Sequence, residues 1–256
     1  MSHVGLSTGT LNRTILEGAR IRNPDNLEIA ILADVASLID MPLAEFPEVE
    51  SSLRRLVDRS ENPEQFGRIA AIALKNLSVF FIGENDLSKA EKICLAALSF
   101  YPNYPIALFD LGEIYRVQGK NNLAIETFQK LLELQPTDRE GLSRLAALLS
   151  RAGRHGEAVG LFLRAIEADP DNPDLYYGLG QTLISLGALE QSIPVYQLVI
   201  ELNPNDERPL LSLAEVYERL GNTGKAFETY LQVLQRNPDH KLAKMKRAHL
   251  WPVLHP

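Results

Sequence analysis

The sequence predicts an all-α protein, a solenoid of stacked helical hairpins, and three columns of repeating residues carry that prediction. Each column recurs every 34 residues without an insertion across residues 71–240 of the 256-residue chain. The columns are Leu77-Ser78, Leu111-Gly112, Leu145-Ala146, Leu179-Gly180 and Leu213-Ala214; Ala90, Ala124, Ala158, Ser192 and Ala226; and Pro102, Pro136, Pro170, Pro204 and Pro238. Three columns that agree in one register through five copies indicate internal structural repeats.

Each 34-residue unit has the pattern of two helices joined by a turn. In residues 105–138, Leu108, Leu111 and Tyr115 recur at helical spacing before Gly119, and a second apolar series with the same spacing follows. The small residue after each leucine predicts a close helix crossing, because a larger side chain would overpack there. The first helix is expected to end in a left-handed residue in every unit, at Asn85, Gly119, Gly153, Gly187 and Gly221.

The end of each unit also has a physical reason. Proline cannot continue a helix, and the Asp or Asn residues beside it can cap the helix that follows. These expected caps are Asp138, Asp171, Asn172, Asp206 and Asp239.

These columns resemble the tetratricopeptide repeat family, whose 34-residue unit reads W-x2-L-G-x2-Y, then Ala, Phe and Pro. The resemblance divides residues 71–240 into repeats 71–104, 105–138, 139–172, 173–206 and 207–240. At the usual tryptophan place this chain has Leu74, Leu108, Leu142, Tyr176 and Leu210, and at the phenylalanine place it has Cys94, Phe128, Phe162, Tyr196 and Tyr230. The resemblance implies a right-handed α-solenoid in which the first helices of the hairpins line a concave groove.

The flanking segments differ from the repeats. Residues 1–70 are expected to form a divergent amino-terminal helical region, with a short helix over 10–21 and a hairpin over 24–62 that lacks the repeat columns. At the other end, residues 241–256 predict a helix that caps the last hairpin. Its apolar residues Leu242, Met245 and Leu250 lie opposite the basic residues Lys241, Lys244, Lys246 and Arg247.

Composition and charge narrow the classes of partner. The chain is 45% hydrophobic and 23% charged, which is typical of an ordinary folded protein. Residues 71–240 carry 15 basic and 22 acidic residues, and this acidic array is unlike the basic stripe that binds nucleic acid. The amino-terminal residues lack the apolar core of a secretory signal. We therefore expect a cytoplasmic protein with no nucleic-acid ligand and no membrane insertion.

The sequence lacks several common motifs of enzymes and cofactor sites. It has no Gly-rich phosphate loop, CxxC pair or HExxH motif. The five histidines are scattered over turns and termini, and the single cysteine, Cys94, falls on a column expected to be buried. We therefore expect no catalytic residue, no cofactor and no metal site.

The groove that the resemblance implies is the predicted site of function. Projecting the helical period onto the first helices gives candidate partner-binding residues on their exposed face. They are Phe109, Glu113, Arg116, Arg144, Arg151, Tyr177, Gln181, Leu211 and Glu215. Arg116, Arg144 and Arg151 form a predicted basic spot in an acidic array. Either neighbouring carboxylates neutralise that spot, or it binds a partner segment with acidic and hydrophobic groups.

Three functions are compatible with these features. The leading hypothesis is a non-catalytic scaffold or assembly adaptor that binds a protein segment in the groove. The alternative is the targeting arm of a larger enzyme, of glycosyltransferase or methyltransferase type, that continues beyond residue 256. A weaker alternative is a secretion-type chaperone, since those proteins are also acidic repeat proteins.

Overall fold

The computed structural model describes residues 19–23, 25–40 and 42–254, and helices make up their regular structure. The helices are α1 Leu27–Ser37, α2 Phe46–Asp58, α3 Pro63–Gly83, α4 Leu87–Phe100, α5 Pro105–Val117, α6 Asn121–Leu134, α7 Arg139–Arg151, α8 His155–Ala168, α9 Pro173–Leu186, α10 Leu189–Leu202, α11 Arg208–Arg219, α12 Thr223–Arg236 and α13 Lys241–Leu254. Residues 19–22 are also helical, while most of the short helix expected over 10–21 lies outside the described residues.

Consecutive helices pack as hairpins, which confirms the predicted fold class. The chain divides into two compact units, Met1–Leu134 and Gln135–Pro256. The first unit contains the hairpins α1–α2, α3–α4 and α5–α6, and the second contains α7–α8, α9–α10 and α11–α12, followed by α13. The divergent amino-terminal hairpin is therefore α1–α2, and α13 packs against α12 of the last hairpin. The buried side of α13 differs from the expected one, because Leu250 and Ala243 are buried whereas Leu242 and Met245 are exposed.

The ends of the first helices have the predicted backbone conformation. Positive φ angles occur at Asn85, Gly119, Gly153, Gly187 and Gly221, with values from 60° to 85°. At one of these ends, the Lys120 backbone N–H donates to the Tyr115 carbonyl over 2.9 Å, which satisfies a carbonyl in the last helical turn. Non-glycine residues adopt a positive φ angle less readily. The recurrence of glycine every 34 residues therefore follows from the positive φ angle that the backbone has at each helix end.

Two of the five predicted caps, Asp138 and Asn172, are present, and the other three are corrected: Asn172 and not Asp171 caps α9, Glu207 and not Asp206 is the N-cap residue of α11, and Asp239 does not cap α13. Asp138 accepts from the Gly141 backbone N–H at 2.6 Å, and Asn172 accepts from that of Asp174 at 3.1 Å. At α13 the cap is His240, not Asp239, because His240 Nδ1 accepts from the Ala243 N–H at 3.2 Å. An imidazole nitrogen supplies an acceptor here as a carboxylate would.

The helix crossings are as close as the small-residue column predicts. A Cβ atom built on Gly112 would lie 2.8 Å from the Phe128 ring, and one on Gly180 would lie 2.7 Å from the Tyr196 ring. Gly178 makes a similar approach, 2.6 Å from Phe162 of the preceding hairpin, and the columns did not single it out. Glycine thus permits close packing both within a hairpin and between successive hairpins of the second unit.

Helix α3 is the longest and one of the most apolar elements. Among the described helices, it alone is long and apolar enough to cross a membrane, with a mean hydropathy of 1.4. The same composition is typical of a core helix, and α3 packs against α1, α2, α4 and α5. Lys75, in the middle of α3, places its Nζ 3.5 Å from the Asp110 carboxylate on α5. Burial raises the pKa of that carboxyl group.

Candidate partner-binding face

Six of the predicted binding residues lie on the first helices of the hairpins in the second unit. We call the exposed side of α7, α9 and α11 the first-helix face. Arg144 and Arg151 lie on α7, Tyr177 and Gln181 on α9, and Leu211 and Glu215 on α11. Tyr177 and Leu211 are half-buried and the other four residues are exposed.

A hollow of about 450 Å³ opens on this face and brings three predicted residues together. Tyr177, Leu211 and Glu215 line it. The remaining lining residues are Arg208, Ser212, Glu218 and Arg219 of α11, Tyr230 of α12, and Leu242 and Lys246 of α13. Four elements of one unit therefore build the site, and we call it the α9–α13 hollow.

Tyr177 is held in place by an arginine at the start of the next first helix. The Arg208 guanidinium lies over the Tyr177 ring, 5.1 Å from its centroid. Asp206 fixes this arginine through contacts of 2.7 to 3.1 Å, and Asp174 lies 3.3 Å from it. Aromatic rings attract cations by their negative faces, so the stack orients the ring as well as partly covering it.

Gln181 connects two first helices through its side-chain amide. Its Nε2 donates to the Tyr177 hydroxyl at 3.1 Å and to the Ser212 hydroxyl at 3.0 Å. Gln181 is exposed, so these bonds lie at the surface of the face. The predicted residue thus has a positioning contact with Tyr177 beside the hollow.

The capping helix supplies the opposite wall of the hollow. Lys246 on α13 places its Nζ 2.6 Å from the Glu218 carboxylate on α11. Projection of the first helices missed Lys246, Leu242 and Tyr230, because these residues come from other elements. The 34-residue register gave one signal for Lys246. Lys246 follows Ser212 by 34 residues, so it occupies on α13 the repeat position that Ser212 occupies on α11.

Arg144 belongs to a second hollow, of about 270 Å³, between α7 and α9. Its lining is Arg139, Glu140, Ser143, Arg144, Asp169, Asn172, Asp174 and Leu175. Arg139 places its Nη1 3.3 Å from the Asp169 carboxylate, so this hollow is rich in internally paired charge. Arg151 is exposed in the last turn of α7, and no ion pair to it forms within the described residues.

The first unit holds the other three predicted residues, and each has an internal contact. The Phe109 ring packs edge-on against Phe128, with 5.7 Å between centroids. Arg116 donates two hydrogen bonds of 2.9 Å to the Glu113 carboxylate. This contact raises the pKa of the Arg116 guanidinium. Arg116 is thus neutralised within its own helix, one of the two alternatives that the sequence left open.

Metal binding or thiol chemistry would require clustered ligand side chains or a reactive cysteine. Within residues 19–23, 25–40 and 42–254, no cluster of three or more His, Cys, Asp or Glu residues is arranged to hold a metal ion. The Cys94 thiol is buried and donates to the Ala107 carbonyl at 3.1 Å. Burial raises the pKa of that thiol to about 12, so at neutral pH the reactive thiolate is scarce.

Comparison with solved structures shows where this architecture occurs. YrrB is described as a tetratricopeptide repeat protein with an unusual peptide-binding site, and its sequence is 22% identical to this chain. The two structures align over 70% of this chain and 92% of YrrB, with a TM-score of 0.64. A MamA structure is 25% identical, with coverages of 63% and 94% and a TM-score of 0.61. MamA from Desulfovibrio magneticus RS-1 is 21% identical, with coverages of 67% and 97% and a TM-score of 0.64. These likenesses show a shared fold.

Family comparisons address the repeats directly. No curated protein matches the chain significantly. Family models described as tetratricopeptide repeats match residues 105–138, 149–210 and 208–240. These segments coincide with hairpins that have the predicted columns, crossings and left-handed helix ends. The chain is a tetratricopeptide repeat protein, which in general terms places it among protein-interaction scaffolds.

Proposed function

We propose that this protein is a non-catalytic scaffold that binds a segment of another protein along the first-helix face of its second unit. One observation carries the proposal: Tyr177, Leu211 and Glu215, selected by helical spacing alone, line the same hollow. The peptide-binding site named for YrrB supports this kind of function without identifying a ligand.

The α9–α13 hollow suits a hydrophobic side chain of the partner. Its volume of about 450 Å³ exceeds that of any one side chain, and Tyr177, Leu211 and Leu242 supply apolar walls. Leu242 is 44% exposed, so part of that wall still contacts water. Covering it would add favourable burial, and tyrosine and arginine are the residue types that dominate binding hot spots.

The charges around the hollow extend the proposal to the partner's chemistry. Arg208 and Lys246 are already paired with carboxylates of the chain, whereas Arg219, which also lines the hollow, forms no ion pair within the described residues. An arginine that is exposed and unpaired can bind a carboxylate in a bidentate manner. The proposed partner segment therefore carries acidic groups together with a hydrophobic side chain.

A charge placed inside the hollow tests the proposal. Leu211→Glu introduces a carboxylate between Tyr177 and Glu215, and because Leu211 is only half-buried the fold should persist. We expect at least a tenfold loss of partner capture from a native-cell extract, quantified by mass spectrometry, with a nearly unchanged melting temperature. Each captured protein is then to be confirmed with purified components.

Gln197→Glu is the matched control, since it adds the same charge at an exposed position of α10, which is a second helix and not part of the first-helix face. Its capture should equal that of the unchanged protein. Normal capture by Leu211→Glu together with loss in Gln197→Glu would place the binding site on the second helices and refute the proposal.

A further inference from the structure

Helix α13 occupies the repeat position of a first helix, as if it opened a sixth hairpin. Its buried residues, Ala243 and Leu250, lie in the core that α11 and α12 form. The residues that precede them by multiples of 34 are also buried on the four earlier first helices. These pairs are Ala107 and Ile114, Gly141 and Leu148, Leu175 and Thr182, and Pro209 and Val216. Thus α13 continues the burial pattern of the first helices by one more unit.

Another side of each first helix faces the second helix of its own hairpin. Gly180 marks this side on α9, because a Cβ atom there would lie 2.7 Å from the Tyr196 ring on α10. The same column of small residues reaches Ala214 on α11 and Ala248 on α13. Ala214 is fully buried, whereas Ala248 is exposed. Within the described residues, which end in α13, no second helix covers this side of α13.

We call this uncovered side of α13 the open face, and it consists of Lys244, Arg247, Ala248 and Trp251. The matching residues of α11 are Leu210, Leu213, Ala214 and Tyr217, and all four of them are buried. All four residues of the open face are exposed. Trp251 is 53% exposed although its ring lies 5.8 Å from the Phe227 ring. The open face therefore keeps a small and an aromatic residue but has two basic residues in place of leucines.

The two basic residues determine what chemistry can cover the open face. Arg247 forms no ion pair within the described residues. Lys244 lies 2.8 Å from the carboxylate of Asp239, whose side chain is 96% exposed. An ion pair at the surface is weak, so Lys244 can exchange this carboxylate for another. Covering either charge with an apolar helix would be costly, because a buried charge needs a partner of opposite sign. An occupant must therefore carry carboxylates.

We infer that the open face binds an acidic amphipathic helix of another protein, in the place that a second helix has in the other hairpins. Carboxylates of that helix pair with Lys244 and Arg247, and its apolar side covers Ala248 and Trp251. A second copy of α13 does not fit, because it would place basic residues against basic residues. None of the four residues lines the α9–α13 hollow, so this surface is additional to the proposed binding site.

A phage-displayed library of helical peptides on the full chain provides the probe. Each peptide carries Ala and Phe at the spacing of Ala124 and Phe128, the residues that occupy these columns in α6, and its other positions are random. Selection should enrich Asp and Glu. The double variant Lys244→Glu, Arg247→Glu should then raise the Kd of the selected peptides about tenfold or more. Both residues are exposed, so the melting temperature should hardly change.

A matched control separates the open face from the total charge of the protein. Arg55→Glu combined with Lys130→Glu makes the same change in net charge at exposed positions of α2 and α6. This control should leave the Kd unchanged. Equal weakening by both double variants would show attraction to overall charge, and it would overturn the inference.

Ala248 tests whether the helix crosses α13 as a second helix would. Ala248→Leu should overpack that crossing and raise the Kd about tenfold. The melting temperature should stay the same, because Ala248 is exposed in the free protein. Ala248→Ser keeps a small side chain and should retain the original Kd. If Ala248→Leu binds normally, the proposed placement of the helix is wrong.

The remaining outcomes identify other occupants or none. If selection does not enrich acidic peptides, or if charge reversal leaves their Kd unchanged, the open face only solvates the end of the array. If Leu211→Glu weakens the same peptides, they bind the hollow, so the inference fails while the proposed function is supported. Vesicles of equal parts phosphatidylcholine and phosphatidylserine test a lipid surface. Binding to these vesicles that charge reversal abolishes, with peptide binding intact, would assign the open face to anionic lipid. Self-association in sedimentation that charge reversal abolishes would assign it to a second copy of this chain.

Discussion

At the scale of single residues, Gly180 shows how an absent side chain sets the distance between two helices. Its Cβ position lies 2.7 Å from the ring of Tyr196, which is completely buried and has no room to move away. Gly160, in the middle of α8, has no atom within 4 Å of its Cβ position. The same residue type therefore serves packing at one position and only weakens the helix at the other.

Identical substitutions at these two glycines should have opposite effects. Gly180→Ala should lower the free energy of unfolding by about 1–3 kcal/mol because the methyl group overpacks the crossing, and Gly180→Leu should lower it further. Gly160→Ala should raise it by about 0.5–1 kcal/mol because alanine is the better helix former. Urea denaturation followed by circular dichroism measures both, and an unchanged stability in Gly180→Ala would refute the assigned crossing.

At the scale of single elements, α13 combines a buried edge with a strongly basic surface. Ala243 and Leu250 are buried in the core that α11 and α12 form, and Trp251 lies 5.8 Å from the ring of Phe227. The helix contains four basic residues and no acidic residue, so its polar side can remain in water while its apolar side covers the last hairpin.

Loss of the α13 contact should destabilise the second unit and promote association. Leu250→Asp should lower the free energy of unfolding by about 2–5 kcal/mol, because it places a charge at a site only 8% exposed. Met245→Asp is the control, since Met245 is 60% exposed and should change stability little. Deleting residues 241–256 should increase light scattering, and a deletion variant that remains monomeric would remove the capping role.

At the scale of the whole molecule, the chain consists of two compact units that each possess an apolar core. The boundary between Leu134 and Gln135 follows the end of α6 and leaves every hairpin intact. Stability in repeat proteins comes mainly from each repeat and its immediate neighbours, so a group of intact hairpins with a cap can fold by itself.

Residues 135–256 expressed alone should therefore be helical and unfold cooperatively on heating. Residues 155–256 are the control. This fragment lacks α7, so the face of α8 that packs against α7 in the hairpin is left without its partner helix. That shorter fragment should melt lower by several degrees or aggregate. Circular dichroism decides the matter, and a fragment 135–256 without a cooperative transition would contradict the independence of the unit.

The sequence by itself determined the hairpin architecture, because the residues that specify it act locally. Gly119 and Gly187 end helices through their own backbone conformation, and Gly112 and Gly180 meet aromatic residues of their own repeat. Helical periodicity also placed Tyr177, Leu211 and Glu215 on one face, since residues spaced by three or four share a helix side. These relations need only the register of a single repeat.

The tertiary structure alone decided which of those surface residues form a site and which are already engaged. Arg116 is neutralised by Glu113 through a choice of rotamer, and Arg208 covers Tyr177 from a different helix. Lys246 and Tyr230 join the α9–α13 hollow from α13 and α12. Such contacts depend on the distance and the angle at which separate helices cross. The periodicity of a single helix predicts neither the distance nor the angle.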